Sequence, residues 1–545
     1  MFFPQIRRLS LVVSLLFVGL TACAPPPDTT EDPPPDPCKH DVAPSAGVVI
    51  SDLGPIQGIK DGDSWSYRGI PYAAPPLGDL RWRLPERPPC RREIMDASTF
   101  GAECPQYNAS GEVVGDEDCL TLNVSTPRES ATLAPVFVWI HGGAHEQGSS
   151  VRTLPDGRPL YDGRSLSEEY GLVVVSINYR LGPFGFLAHP ALSMEGGEAA
   201  SGNYGMHDQI AALGWVHDNI AAFGGDPDRV LVSGQSAGSV STCRLVASPL
   251  ASGLFHAAIL RSGGCGATPL QEAERVGEDY VESMGCAEAE EIPGCLRALN
   301  SDAVMAGFDP VTNPTNSLGR LSFDGVVDGW ALTDKPRAMI RRGEHNHMPV
   351  IVGSTAAENG RDAPLISDEQ SYQQVVRAYF AAIGVPAIVA DLALAQYPAA
   401  DYPSPRAAYV AMTTDVKFSC PARSDARAFN IGQQEPAYRY WFEQVPENAP
   451  LLLQARGAFH GIDIMYLFDR VDAYYTPGPS DIRVSDATRS WTASFAESGS
   501  LQQAALPTWE PCCQSEPKVM VFGEVVEQIA GVREQQCDFW DSLTP

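Results

Sequence analysis

The sequence predicts an α/β fold: a large, open, mostly parallel sheet flanked by helices, with further helical segments inserted over it. Three observations carry this expectation. The chain has 545 residues, 44% of them hydrophobic and 19% charged, a balance typical of folded globular proteins. Residues 136–140, 172–177, 230–232 and 350–352 are short, continuous, β-branched apolar runs bounded by Gly, Pro or charged residues. Strands apolar at every position, instead of every second one, are strands buried on both faces, as in parallel sheets. Between them lie helical stretches such as 204–223, where Ile210, Leu213, Trp215, Val216 and Ile220 recur at helical spacing. Alternating strand and helix builds a doubly wound sheet. Segments 271–305 and 369–431 are rich in Ala, Gln and helical patterning with few strand-like runs, and are expected to be helical caps. No internal repeat and no Pro-rich linker follows residue 45, so residues 46–545 are expected to form one domain.

The first 45 residues read as an address. Arg7 and Arg8 precede an apolar run at 9–20, followed by Leu20-Thr21-Ala22-Cys23. Twelve residues cannot cross a hydrocarbon core of about 30 Å as a helix. Residues 1–22 are therefore expected to be a lipoprotein signal peptide, cut before a lipidated Cys23 in the manner of a bacterial lipobox. Residues 23–45, mostly Pro, Asp and Thr, would form an extended tether. The expected location is the cell envelope, at the outer membrane or surface, with the membrane reached through the N-terminal lipid. A balance of 38 basic against 67 acidic residues, a net charge of −29, makes nucleic acid an unsuitable partner because like charge repels the phosphate backbone.

Thirteen cysteines suit an oxidising compartment, and twelve remain without Cys23. Cys104 with Cys119 and Cys286 with Cys295 each enclose a short loop and are expected to be bridged. Further pairs expected are Cys243 with Cys265 and Cys38 with Cys90, with Cys420 joining the group of Cys512, Cys513 and Cys537. There is no C-x-x-C pair, and His345 and His347 form an H-x-H without a third ligand motif nearby. No metal site and no cofactor is expected.

Reactive chemistry concentrates at Gly234-Gln235-Ser236-Ala237-Gly238. A strand-like run precedes it and a helix-like run follows, the context in which G-x-S-x-G lifts a serine hydroxyl above a sheet. The N–H of Ala237, at the helix start, can face a developing oxyanion. His141-Gly142-Gly143-Ala144, at the end of the run 136–140, offers further N–H donors from Gly142 and Gly143, with His141 itself read as structural.

Four further segments extend the pattern: Tyr67-Arg68-Gly69-Ile70-Pro71-Tyr72-Ala73-Ala74-Pro75-Pro76, Glu117-Asp118-Cys119-Leu120-Thr121-Leu122-Asn123, Asn178-Tyr179-Arg180-Leu181-Gly182-Pro183-Phe184-Gly185-Phe186 and Phe223-Gly224-Gly225-Asp226-Pro227. With these the chain, from Gly47 onward, resembles the type-B carboxylesterases, the cholinesterase-like branch of the α/β-hydrolases. The resemblance implies the α/β-hydrolase fold and a Ser-Glu-His triad: Ser236 as nucleophile, Glu358 in Gly353-Ser354-Thr355-Ala356-Ala357-Glu358 as acid, and His460 in Gly457-Ala458-Phe459-His460-Gly461 as base. It also implies an oxyanion hole of Gly142, Gly143 and Ala237. Asp324 and Asp328 compete with Glu358 by their position between serine and histidine, although no strand immediately precedes them.

The expected activity is hydrolysis of neutral, small-molecule carboxylic esters through an acyl-enzyme. The alternatives are an amidase, lactonase or thioesterase on the same fold, or a non-catalytic surface adhesion module. Such modules usually lack the serine that this chain retains. Three positions depart from the family pattern: Gln235 where many relatives carry Glu, His145 where an aromatic residue is usual, and Asn359 where Gly normally follows the acid. No Trp occurs among the 14 residues between Cys104 and Cys119, where relatives that hydrolyse choline esters hold the quaternary ammonium.

Overall fold

The computed structural model describes residues 38, 42–43, 45–127, 132–197, 200–308, 323–501, 503–513 and 516–543. Cys23 and the expected signal peptide lie outside the described residues, as does most of the expected tether. Eleven strands among the described residues form the main sheet. In chain order they are β1 (Ile59–Asp61), β2 (Ser64–Pro71), β3 (Thr121–Thr126), β4 (Ala134–Ile140), β5 (Val173–Ile177), β6 (Gly225–Gln235), β7 (Ala257–Arg261), β8 (Val350–Thr355), β9 (Ala437–Phe442), β10 (Lys518–Phe522) and β11 (Val526–Ala530). Their spatial order is β11-β10-β9-β8-β7-β6-β4-β5-β3-β2-β1. The seven strands from β10 to β5 are parallel to their neighbours. β11 closes one side antiparallel, and β3, β2 and β1 extend the other the same way.

The apolar runs are continuous because alternate residues feed two different cores. Val136, Val138 and Ile140 of β4 pack with Val173, Val175, Val230, Val232, Val350 and Val352 on one face. Phe137 and Trp139 of the same strand pack with Val174, Leu231, Ile351, Trp491 and Phe468 on the other. Successive side chains of a strand point to opposite faces, so a strand covered twice must be apolar throughout.

The long helix expected at 204–223 runs over Tyr204–Asn219 and tightens to a 3₁₀ turn at Ile220–Phe223. The inserted segments are helical, as expected: Leu270–Ser283, Ile292–Arg297 and Ser301–Ala306 in the first, and Glu369–Ala382, Ala387–Gln396, Pro405–Thr414 and Cys420–Gly432 in the second. A π turn at Asp415–Ser419 joins the last two. The second insertion carries its own core of Tyr372, Val376, Phe380, Tyr397 and Tyr409. No helix among the described residues is long and apolar enough to cross a membrane.

Buried ion pairs fasten the loops around this sheet. Arg180 grips Asp208 of the long helix with Nε and Nη2 at 2.8 and 2.7 Å. Arg81 holds Glu117 bidentately at 2.7 and 2.6 Å. Removing one partner leaves a buried charge unpaired, at a cost of about 3–5 kcal/mol. The disulfides are Cys38–Cys90, Cys104–Cys119, Cys243–Cys265, Cys286–Cys295, Cys420–Cys537 and the adjacent pair Cys512–Cys513.

Candidate active site

Four parallel strands deliver the predicted residues to one edge of the sheet, just beyond their carboxyl ends. This is where open α/β sheets leave a crevice. β6 ends at Gln235, and the helix α1 (Ala237–Ala247) begins two residues later, with Ser236 between them. Ser236 sits at φ 59°, ψ −124°, a conformation costing an L-residue about 1–3 kcal/mol. Its N–H donates to the Arg261 carbonyl of β7 at 2.9 Å, and its own carbonyl accepts from Val240 N–H at 3.0 Å. These bonds hold the turn in place.

The two glycines of the motif are required by close approach. A Cβ on Gly234 would stand 2.2 Å from the Gly238 carbonyl oxygen, and one on Gly238 would stand 2.1 Å from that of Ile140. Neither space admits a methyl group, so strand β4, strand β6 and helix α1 meet closely here only because both positions are glycine.

β4 runs into His141, Gly142 and Gly143. A Cβ on Gly142 would lie 3.0 Å from that of Ser236, which places this loop directly beside the serine. Among the described residues, the N–H groups of Gly142, Gly143 and Ala237 have no protein acceptor. Unsatisfied backbone donors are rare in folded chains, and three beside one serine hydroxyl make a ready anion cradle. His141 is buried with its ring stacked on Tyr179 at 4.5 Å, and its carbonyl accepts from the Tyr179 hydroxyl at 2.9 Å. Burial pushes its pKa down to about 4, so it is a neutral structural group.

Glu358 follows β8 and is fully buried. One carboxylate oxygen accepts from Thr355 N–H at 2.8 Å; the other lies 2.5 Å from His460 Nδ1. The Glu358 carbonyl also accepts from His460 N–H at 3.1 Å. Carboxylate and imidazole are thus fixed by both main chain and side chain. The ring lies 5.0 Å from that of Phe418 in the π turn. Its Nε2 lies 3.0 Å from the side-chain nitrogen of Gln235. Among the described residues, Ser236 Oγ makes no hydrogen bond to the imidazole, a separation common before substrate binds.

The competing aspartates are used elsewhere. Asp328 accepts from Asn203 Nδ2 at 2.8 Å and from the N–H groups of Trp330 and Leu332, both at 2.9 Å. Asp324 pairs with Arg244 at 2.7 Å and His145 Nδ1 at 2.9 Å. Burial opposes its charge, but Arg244 and His145 outweigh burial and hold the carboxyl well below its usual range. His145 Nε2 in turn meets Ser241 Oγ at 2.9 Å. This is a second Ser-His-Asp chain, and sequence reading missed it because its members carry no motif. Ser241 and His145 are buried, 2% and 3% exposed, so no substrate reaches that hydroxyl. The chain instead ties the loop after β4 to helix α1, and the unusual His145 was the one sequence signal of it. His345 and His347 are occupied by Gln433 and the Gly343 carbonyl, and no cluster able to hold a metal occurs among the described residues.

Comparison with known proteins gives a consistent picture. A family model described as the carboxylesterase family matches residues 45–540. Para-nitrobenzyl esterase of Bacillus subtilis (strain 168) is 31% identical over 464 residues, covering 83% of this chain and 90% of that protein. Fumonisin B1 esterase of Sphingopyxis macrogoltabida is 32% identical over 490 residues, 87% and 86% of the two chains. Human cocaine esterase is 30% identical over 532 residues, 92% and 90%. A solved PNB esterase structure superposes with a TM-score of 0.77 at 29% identity, covering 91% of this chain and 99% of that one.

Proposed function

Because the chain belongs to the carboxylesterase family, a family of serine hydrolases of carboxylic esters, we propose that its catalytic groups are Ser236, His460 and Glu358, with Gly142, Gly143 and Ala237 as the oxyanion hole. The observation that carries this assignment is the trio of acceptor-free N–H groups beside Ser236, on the same sheet edge as the Glu358–His460 pair. Glu358 accepts from Nδ1–H and leaves the Nε2 lone pair as the base. His460 removes the hydroxyl proton as Ser236 Oγ attacks the ester carbonyl, and the carbonyl oxygen becomes an oxyanion held by the three N–H groups. The tetrahedral intermediate collapses as His460 returns the proton to the departing alcohol. Water then attacks the acyl-enzyme by the same route, regenerating Ser236 and releasing the acid. All groups required belong to the chain. Neutral esters are the proposed substrates, and the protein is proposed to be exported, cut before Cys23 and carried on its lipid, with residues 46–545 acting as one domain.

One experiment addresses the assignment and the processing together. Protein isolated from the membrane fraction is labelled with a fluorophosphonate, and its peptides are mapped by mass spectrometry. The adduct is expected on Ser236 and the first peptide at a lipid-modified Cys23, with Ser236→Ala folded and unlabelled. A labelled Ser236→Ala would overturn the nucleophile, and a mature N-terminus beyond Cys23 the anchor.

A further inference from the structure

Gln235 precedes the nucleophile and is 5% exposed. Its side-chain nitrogen lies 3.0 Å from His460 Nε2, the atom that has to accept the serine proton. At 2.5 Å from Glu358, Nδ1 carries the imidazole proton, so Nε2 of the neutral ring holds a lone pair and can only accept. The amide N–H therefore donates to it. We propose that Gln235 is a positioning residue that caps the base in the free enzyme and withdraws when substrate is engaged; this rests on the assignment of Ser236 and His460 above.

Nε2 has one lone pair in the ring plane, so the Gln235 N–H and the Ser236 O–H compete for it. Among the described residues no Ser236–His460 hydrogen bond occurs while the Gln235 amide lies on Nε2, as this competition requires. An amide does not give up its proton at any ordinary pH, so the capped base is idle until the amide moves. Space for that movement exists. The side chain lies between Gly142 and Gly461, where a Cβ would stand 3.2 Å from Oε1 on one side and 3.6 Å from both amide atoms on the other. Once His460 has taken the serine proton, Nε2–H becomes a donor, and a half-turn of the amide presents Oε1 as its acceptor. One neutral side chain can thus serve both protonation states in turn. A glutamate carboxylate has no N–H with which to cap the lone pair, so the substitution of Gln at this position supplies the device.

Removing the cap should free the base. Gln235→Met keeps the bulk without a donor, Gln235→Ala removes both, and the reading is the second-order rate of fluorophosphonate labelling at neutral pH. A net hydrogen bond of ordinary strength corresponds to a rise of about threefold to tenfold in that rate. A merely structural role for Gln235 would lower it. Unchanged or slower labelling in a variant with wild-type near-UV circular dichroism overturns the proposal and leaves the triad standing. Labelling of a Ser236→Ala control overturns the triad instead. Crystal structures of the wild-type protein, free and phosphonylated, give a reading independent of any variant. The amide is expected on Nε2 in the free enzyme and displaced in the adduct; Ser236 Oγ on Nε2 in the free enzyme overturns the cap.

Discussion

At the scale of single residues, the acid and the base differ in how much their loss should cost. In the proposed mechanism His460 handles the proton in both halves of the reaction, whereas Glu358 acts through it by accepting at 2.5 Å and keeping Nδ1 protonated. Glu358→Gln preserves shape and burial but replaces an anion with an amide that can present N–H to Nδ1, which favours the wrong tautomer. Its kcat for an aryl ester is expected to fall by about 10³- to 10⁴-fold, with KM changed far less. Steady-state kinetics on protein shown to be folded checks this. A fall of less than tenfold would return Asp324 to consideration, although its two partners at 2.7 and 2.9 Å already engage it. Ser236 stood out in the sequence by its strand-to-helix turn, while Glu358 and His460 were singled out by the family resemblance, and the structure brings those two within 2.5 Å of each other. What Gln235 and His145 touch was not legible. Gln235 meets His460 across 225 positions, and His145 meets Ser241 across 96 positions and Asp324 across still more, separations that no spacing rule links.

At the scale of elements, the meeting of β4, β6 and α1 sets the tolerance of the site. Gly238→Ala would force a methyl group to within 2.1 Å of the Ile140 carbonyl oxygen and push the loop of Gly142 and Gly143 away from Ser236. A loss of about 1–3 kcal/mol or more in stability is expected from overpacking, with a drop in kcat. Gly214, inside the helix Tyr204–Asn219, has nothing within 4 Å of its would-be Cβ. Gly214→Ala is expected to stabilise by about 0.4–1 kcal/mol. Denaturant unfolding of the two variants should give opposite signs, and like signs would contradict the packing described. The central strands were readable because two-sided burial leaves continuous apolar runs. β2 and β10 were harder, since Arg68 and Gly69 interrupt one and Lys518 opens the other. The start of β6 at Gly225 was hidden by the polar residues Asp226 to Arg229, whose pairing with β4 shifts register between Gly225 and Val230.

At the scale of the whole molecule, net charge and local geometry pull substrate preference in opposite directions. A net charge of −29 attracts cations over long range, but at physiological salt such attraction is screened within about 8 Å. A choline ester also needs a contact, and a desolvated cation–π contact is worth about 2 kcal/mol. The segment between Cys104 and Cys119 holds no Trp, and its Tyr107 has its hydroxyl bound to the Met305 carbonyl at 2.7 Å. Comparing kcat/KM for butyrylthiocholine and its uncharged isostere at physiological ionic strength should show no preference for the cation. A preference of about tenfold, equivalent to 1.4 kcal/mol, would refute the neutral-ester reading.

The site is assembled from stretches far apart in the chain, with Glu358 and His460 separated by 102 positions and Gln235 and His460 by 225. This imposes an order in time on the birth of the enzyme. At a synthesis rate of about 10 residues per second, His460 leaves the ribosome roughly 20 s after the turn that carries Ser236. On the proposed assignment, hydrolysis begins only when these late segments have docked beside the turn that carries Ser236.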